Sequence, residues 1–410
     1  MCGQIRCRAA IGGHAMALLL AFGVGSTAAA QTQRVHAEGP GAWGADLHLV
    51  EEIRIGRLDG AEEYLFGSVS GIAIGRDGAI HVADTQVPAI RAYDARGRFV
   101  RNLGGKGSGP GEYQSIGGIR TLPDGRVTIW DPRQGRISVY TAVGAFEASH
   151  VVPGGLFADN IFQTDHTGHF HVRTVIGVRT GDGNPETGWI RIAPTGAILD
   201  TLRIPREPRP ESFVLMTSSG VERPFPTERV TTLSPLGHLI SGRNDTYAFD
   251  LQISPQRVIR IERPYAPIRL GRDERNEWEA WSRFFEQRIA NPSAGNPNPA
   301  RRASFSIPDM KPAFSELATD SQGRIWVRRY VEAQRRPARD RPAAVQMPQH
   351  VWREPPTFDV FESDGRFLGT VTLPWNAVLF EARDNLIWAT VRGEFDETYV
   401  VRYRMEPRRG

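Results

Sequence analysis

The stretch from Phe66 to Tyr113, FGSVSGIAIGRDGAIHVADTQVPAIRAYDARGRFVRNLGGKGSGPGEY, decides the fold. It contains short runs in which apolar and polar residues alternate, and tight turns separate the runs. Two of the turns carry Gly78 and Gly97, where a positive φ is favoured. These glycines lie 19 residues apart, which leaves room for one loop and one further strand. The stretch therefore predicts an antiparallel meander of four strands, which we call a, b, c and d.

The hairpin formed by strands a and b recurs along the chain. The six hairpins are SGIAIGRDGAIHVAD (70–84), GGIRTLPDGRVTIWD (117–131), FQTDHTGHFHVR (162–173), TTLSPLGHLISGR (231–243), ELATDSQGRIWVRR (316–329) and LFEARDNLIWATVR (379–392). The 19-residue spacing between successive turns returns in the second and fourth units. Repeated four-stranded units of this kind predict an all-β fold, a six-bladed β-propeller.

The two ends of the chain indicate how the ring closes. Counting 19 residues from Asn385, in the sixth hairpin turn, reaches Arg404, so the sixth unit ends after its third strand, TYVVRYRM. The segment DLHLVEEIRIG (46–56) belongs to no unit and has the pattern of an outer strand. We therefore expect this N-terminal strand to dock as the outer strand of the last blade, which removes the exposed sheet edges.

The first unit, with SGIAIGRDGAIHVAD followed by GKGSGPGE, resembles an NHL repeat, and the second unit is a weaker match. The chain is similar to secreted bacterial six-bladed propeller proteins related to NHL domains. The resemblance implies a comparison with propeller lyases and lactonases that bind zinc or calcium near the centre of the funnel, although their ligand sets cannot be matched here residue by residue. Because propellers carry many functions, it implies architecture rather than activity.

The N-terminus has the three-part pattern of a secretory signal peptide over residues 1–30. Arg6 and Arg8 precede an apolar run, and small residues precede a cleavage position near Ala30. We expect a flexible segment over residues 31–45 and the propeller over residues 46–410. The protein is thus expected to be exported, periplasmic or extracellular, without a membrane span and monomeric.

Composition limits the chemistry of the processed chain. Both cysteines, Cys2 and Cys7, lie in the signal segment, so no disulfide or thiol remains after cleavage. The formal net charge of +4 falls to +2 when Arg6 and Arg8 are removed. A charge this close to neutral gives no case for nucleic acid or membrane partners.

Long connections collect on one face of the predicted ring. The a–b and c–d turns share one face, which we call the short-turn face, and the b–c and d–a connections share the other, the long-loop face. The long segments are residues 173–188, 205–226, 271–314 and 332–356, all on the second face. Long loops on a rigid scaffold indicate a binding face.

An insertion over about residues 271–314, between blades four and five, has helical character. Trp278, Trp281, Phe285 and Ile289 recur at helical spacing with charged residues between them. Two interpretations stay open: the aromatic stripe packs against its own scaffold, or it forms a lid over the central funnel.

Charged residues follow strand b in several blades and open onto the long-loop face. The tentative ligand-binding residues are Asp84, Asp131, Arg173, Arg243, Arg328, Arg329 and Arg392, with Trp278 and Trp281 from the insertion. A half-ring of guanidinium groups could hold a carboxylate, sulfate, phosphate or acidic glycan. Alternatively, each arginine pairs with a neighbouring acid or bridges blades. Asp84 matches the aspartate of the VaD position in NHL repeats, and this resemblance implies a structural role for it, as an acceptor of backbone amides in its loop.

The glycine-rich GGKGSGPGEY (104–113) is a connection between blades rather than a phosphate-binding loop. Lys106 comes early in the motif, and Pro110 and a further strand follow where a phosphate loop needs a helix. The same topology places Lys106 on the long-loop face as a rim charge.

His169 and His171 are weak candidates for metal ligands. They lie two apart on a strand and share one face, but no third ligand can be identified, and packing is the alternative interpretation. We predict no cofactor, with zinc or calcium as the alternative.

The sequence thus predicts an exported propeller that binds a protein, a glycan or a small anionic ligand on its long-loop face, without catalysis. The competing hypothesis is a hydrolase or lyase that acts in the central funnel with a metal or with carboxylates such as Asp84 and Asp131.

Overall fold

The computed structural model describes residues 31–44, 47–153, 161–178, 185–204, 224–290, 307–337 and 348–407. The predicted signal peptide lies outside these residues, as do parts of the four long segments, namely 179–184, 205–223, 291–306 and 338–347.

Six antiparallel sheets form the ring and confirm the six-bladed propeller. Strands a to d of blade 1 are Val69–Ile74, Ile80–Asp84, Ala89–Tyr93 and Phe99–Asn102. Those of blade 2 are Gly118–Thr121, Val127–Asp131, Arg136–Tyr140 and Phe146–Val151. Those of blade 3 are Phe162–Thr164, Phe170–Val178, Pro185–Ile192 and Ile198–Arg203.

The second half of the ring repeats this arrangement. Strands a to d of blade 4 are Arg229–Leu233, Leu239–Arg243, Ala248–Ser254 and Arg257–Glu262. Those of blade 5 are Phe314–Thr319, Ile325–Arg329, Thr357–Phe361 and Phe367–Thr372. Strands a to c of blade 6 are Val378–Arg383, Leu386–Arg392 and Thr398–Pro407.

The N-terminal strand closes the ring as predicted. Leu47–Ile55 pairs antiparallel with Thr398–Pro407 and supplies the outer strand of blade 6. Ile55 is buried in the apolar cluster shared by blades 6 and 1, together with Trp388 and Ile72. Closure therefore joins the two ends of the chain through both strand pairing and core packing.

The core of the described chain is divided among the blade junctions. Its buried apolar side chains form six clusters, one between each pair of neighbouring blades. Both faces of each sheet are consequently covered by a neighbour, and the inner strands surround a central channel.

The expectation of a flexible segment over residues 31–45 is corrected by the structure. Gln31–His36 forms a strand that pairs in parallel with Arg257–Glu262, as a fifth strand on the outside of blade 4. The physical reason is that the outer strand of blade 4 presents unpaired backbone groups, which this strand satisfies.

The chain continues from this strand across the outside of blade 5. The backbone amides of Ala42 and Trp43 donate to the carbonyls of Phe367 and Leu368 at 3.1 and 2.7 Å. A side chain at Gly41 would come within 2.6 Å of the Leu368 carbonyl oxygen, so glycine is required for this close approach. We call residues 31–44 the N-terminal belt, because they connect the outer edges of blades 4 and 5 before the closing strand reaches blade 6.

The predicted helical insertion is present as helix α1, Arg272–Ala290, between blades 4 and 5. Smaller elements are a 3-10 helix at Glu62–Tyr64, a parallel pair of Gly105–Lys106 with Glu112–Tyr113, and an antiparallel pair of Gln334–Arg335 with Trp352–Arg353. Within the described residues, no helix combines the length and apolar character needed to cross a membrane.

Candidate functional site

Asp84 and Asp131, at the ends of two b strands, are buried and engaged in their own loops. The Asp84 carboxylate accepts the backbone amides of Gly67, Ser68 and Gln86 at 2.9 to 3.1 Å. Asp131 accepts the amides of Gln114, Arg133 and Gln134 and the Ser115 hydroxyl, at 2.6 to 3.2 Å. The expected structural role of Asp84 is confirmed, and Asp131 has the same role in blade 2.

The predicted row of arginines lies where strand b ends, and several members have partners nearby. Arg243 pairs with Asp245 at 3.1 Å, Arg328 with Glu316 at 3.8 Å and Arg329 with Asp359 at 3.7 Å. Arg392 donates to the carbonyl of Asp396 at 2.9 Å, and Arg173 is half-buried in blade 3. The pairs of Arg243 and Arg328 are exposed and contribute at most about 1 kcal/mol each, whereas Arg329 faces the buried Asp359. A ligand could still compete for the exposed guanidinium groups, and the role of the row in binding stays a prediction.

The aromatic residues of helix α1 pack against a histidine from blade 5. The ring of His350 lies 4.2 Å from Trp278 and stacks on Trp281 at 4.9 Å, and Trp278 also meets Phe225 edge-on at 5.9 Å. Burial lowers the pKa of His350 to about 4, and Arg353 adds to the shift. These contacts match the packing interpretation of the stripe; the side chains of Phe285 and Ile289 lie outside the description.

A buried lysine ties helix α1 to blade 5. The Lys311 ammonium is 1% exposed and donates to Glu274 of the helix at 2.9 Å, to Glu354 of blade 5 and to the Val331 carbonyl at 3.2 Å. Burial raises the pKa values of Glu274 and Glu354, while Lys311 opposes the shift in both. Sequence reasoning missed this group, and the rarity of lysine in the chain was its only signal.

Lys106, by contrast, is exposed in the short strand of the loop that leads from blade 1 to blade 2.

His169 and His171 both face one carboxylate. Asp165 Oδ2 lies 2.9 Å from His171 Nε2 and 3.2 Å from His169 Nδ1. Burial opposes ionisation of Asp165, but hydrogen bonds from His171, Thr167 and the His169 amide hold its pKa below the usual range. No group of three or more acidic, histidine or cysteine side chains in the described ranges is arranged to bind a metal.

Blade 5 shows what the His171 position does in the repeat. Asp320 occupies the turn position that Asp165 holds in blade 3, and each forms the same backbone turn. The indole N–H of Trp326, six residues later, donates to Asp320 at 3.0 Å, as His171 does to Asp165. His171 therefore occupies a position that carries a structural hydrogen bond in another blade.

A cavity of about 320 Å³ opens on the long-loop face between blades 5 and 6. It is lined by Arg336, Pro337, Gln349, His350, Arg353, Trp375, Asn376 and Gly393. The Arg336 guanidinium lies 3.5 Å from the centre of the Trp375 ring. Nε and Nη2 of Arg336 are buried without a hydrogen-bond partner among the described residues. We call this cavity the Arg336 pocket.

A second cavity, of about 390 Å³, lies at the centre of the short-turn face. All six blades contribute to it through the ends of their a strands and their a–b turns, with Arg120 of blade 2 and Glu381 of blade 6 in its wall. We call it the central cavity. Neither cavity is lined by the predicted arginine row.

Comparison with protein-family models supports the architecture. A family model described as DUF5128, a 6-bladed beta-propeller, matches residues 48–170. Curated protein sequences give no significant match.

Several solved structures are similar over most of the chain. A Bacteroides fragilis protein proposed to be exported is 10% identical, with 92% of this chain and 99% of that chain covered and a TM-score of 0.48. A member of the DUF4221 family from Bacteroides vulgatus is 12% identical, with coverages of 88% and 98% and a TM-score of 0.48. Virginiamycin B lyase from Staphylococcus aureus is 10% identical, with coverages of 87% and 99% and a TM-score of 0.40. Similarities at this level carry no information on the ligand or activity of this chain.

Proposed function

We propose that this protein is an exported propeller that binds an anionic ligand on its long-loop face, in the Arg336 pocket, without catalysis. Export rests on the signal pattern of residues 1–30 and on the resemblance to secreted NHL-related propellers. The observation that carries the binding proposal is the lining of the pocket, which includes two arginines and no carboxylate.

The two arginines are held in ways that suit recognition of an oxyanion. Stacking on Trp375 orients the planar guanidinium of Arg336. The Nε of Arg353 donates to the His350 carbonyl at 2.9 Å, and this hydrogen bond restrains the Arg353 guanidinium. His350 is neutral at pH 7 because its pKa is low, so the positive charge of the pocket comes from arginine alone. A fixed guanidinium binds carboxylate, sulfate or phosphate oxygens by charge-assisted hydrogen bonds, which are stronger than neutral ones.

A titration with charged and neutral probes tests this proposal. We expect a galacturonic acid trimer to bind and a neutral galactose trimer not to bind, with binding weakened about tenfold or more in Arg336→Ala and in Arg353→Ala. Isothermal titration calorimetry gives the dissociation constants. Arg366→Ala is the matched control, because Arg366 lies in the c–d turn of blade 5 on the opposite face and pairs with Glu362.

Equal binding of the neutral trimer, or unchanged binding in both pocket variants, would contradict the proposal. Loss in Arg243→Ala and Arg329→Ala, with the pocket variants unchanged, would move the site to the predicted arginine row.

A further inference from the structure

The wall of the central cavity is built from polar bridges between neighbouring blades. Arg76 of blade 1 donates to the Pro123 carbonyl of blade 2 at 2.9 Å, and the His166 amide of blade 3 donates to the Pro235 carbonyl of blade 4 at 2.8 Å. Arg383 of blade 6 donates to two carbonyls of blade 1 at 3.0 and 3.2 Å. These polar groups of the cavity wall hold neighbouring blades together, so their presence is explained by the structure of the ring and does not indicate a ligand.

Arg120 and Glu381 each form hydrogen bonds with only some of their charged atoms. Arg120 donates from Nε to Gln163 Oε1 at 2.9 Å and from Nη1 to the Ile119 carbonyl at 2.8 Å. Its Nη2 has no hydrogen-bond partner among the described residues. Glu381 accepts the amides of Ser321 and Ala382 on Oε1, both at 3.1 Å, while its Oε2 likewise has no partner in the described ranges.

These two groups share one cavity without touching each other. In the described chain, no ion pair within 4.0 Å joins Arg120 to Glu381, although each affects the pKa of the other. Burial lowers the pKa of Arg120 and raises that of Glu381, as expected for charges surrounded by protein. Opposite charges held apart in this way retain their desolvation cost, because they lack the direct contact that would offset it.

The neighbouring carboxylates of Asp165 and Asp320 have other hydrogen-bond partners and do not pair with Arg120. Asp165 is engaged by His171 and by its own turn. Asp320 accepts hydrogen bonds from Arg324 and Trp326 and from the amide of Gln322. Arg76 and Asp384 also line the cavity, but both are exposed to solvent. Arg120 and Glu381 are therefore the half-buried charged donor and acceptor described here that keep an atom without a partner in its wall.

We propose that the central cavity is a second ligand site, which binds a small zwitterion with its carboxylate on Arg120 and its ammonium on Glu381. A molecule of this kind spans the gap between the two charges and supplies each with its missing partner. The cavity volume of about 390 Å³ suits a small molecule rather than a polymer. The site is independent of the Arg336 pocket, because the two lie on opposite faces.

The distance between the two charges of the ligand can be varied to test this proposal. Calorimetric titration with the straight-chain ω-amino acids from glycine to 6-aminohexanoate should show one chain length that binds best, since only that length spans the gap. Butanoate and butylamine, which carry only one of the two charges, should bind at least about tenfold more weakly than the best zwitterion.

Two variants that remove one charge each test the residues. We expect Arg120→Gln and Glu381→Gln each to weaken binding of the best zwitterion about tenfold or more. The matched controls are Arg126→Gln and Glu147→Gln, which alter an exposed pair of the same chemistry on blade 2 and should leave binding within about twofold. Arg336→Ala should also leave it unchanged, so failure of this site and failure of the proposed function are distinguishable.

Absence of binding for every ω-amino acid would overturn the assignment, as would equal losses in cavity and control variants. Binding of butanoate as tight as that of the best zwitterion, insensitive to Glu381→Gln, would show a simple anion site and would also overturn it. If a glutamine variant does not fold, Arg120→Lys and Glu381→Asp keep the charge and shift its position, and the preferred chain length should then change.

Discussion

At the residue scale, His81 couples the stability of blade 1 to pH. Its side chain is buried in strand b, and its Nδ1 has no hydrogen-bond partner in the described chain. Burial lowers the pKa of His81 to about 4; Asp77 opposes the shift and Arg101 adds to it. The folded protein therefore holds this histidine neutral well below the pH at which the unfolded chain protonates it.

The sign of the pH effect follows from these two pKa values. The unfolded pKa of about 6.5 lies above the folded value, so stability is retained above pH 6.5 and lost as the pH falls from 6.5 to 4. Between pH 6.5 and pH 4, we expect protonation of His81 to lower the free energy of unfolding by up to ~1.4 kcal/mol for each unit by which the pH falls. Urea unfolding at pH 7 and pH 5 should show a smaller difference for His81→Gln than for the wild type. An equal reduction in His36→Gln, on the exposed first strand, would refute the assignment to burial.

At the element scale, the buried Lys311 ammonium joins helix α1 to blade 5. Lys311 has Glu274 of the helix on one side and Glu354 of blade 5 on the other. Removing the ammonium leaves two buried carboxylates without their partner, and losses of this kind cost about 3–5 kcal/mol.

We expect Lys311→Met to loosen helix α1 from blade 5. Hydrogen exchange followed by mass spectrometry should show faster exchange in residues 272–284, and thermal unfolding should begin at a lower temperature. Arg283→Ala is the control, because Arg283 is exposed and forms only a loose pair with Glu279 at 3.7 Å. Unchanged exchange in Lys311→Met would mean that the other contacts of the helix hold it, namely the aromatic contacts with His350 and the hydrogen bonds of Arg275 and Glu277.

At the scale of the whole molecule, the N-terminal belt and the closing strand have separable effects. The belt adds a strand to blade 4 and places Trp43 against Gly369 of blade 5, whereas the closing strand completes blade 6. Loss of the belt exposes strand edges but leaves the ring closed.

Two truncations should separate these contributions. A mature chain without residues 31–44 should unfold cooperatively at a Tm lower by roughly 5 °C, since the packing of the half-buried Trp43 and one strand pairing are lost. A chain that also lacks residues 47–55 should lose the cooperative transition, because blade 6 is left with three strands and an open edge. Differential scanning calorimetry measures both, and an unaltered Tm in the shorter deletion would exclude a stabilising belt.

The parts of this molecule that local sequence predicts are those set by neighbouring residues. Alternating apolar residues and glycine turns gave the hairpins, the blade count and the closing strand, and the resemblance to the NHL repeat gave the structural role of Asp84. The helical spacing of Trp278 and Trp281 likewise gave helix α1. The strands rest on a period of two residues and the helix on a period of 3.6, and both periods can be read without knowing which segments pack together.

The candidate sites are set by residues far apart in the chain. Arg336 meets Trp375, Lys311 meets Glu274, and Arg120 shares a cavity with Glu381, and none of these pairs belongs to a recognisable spacing. The parallel strand Gln31–His36 was missed for the same reason, because its partner begins at Arg257.

The sequence by itself determined that this chain is a ring of six repeated sheets, since the antiparallel pairing of strands a to d in blades 1 to 5 joins strands that follow one another in the chain. Only the tertiary structure decided which charged side chains face a cavity and which are already satisfied. The physical reason is that closing the ring brings blades 1 and 6 together and points the a–b turns of all six blades at one axis, so the open charges of Arg120 and Glu381 exist as a pair only after closure.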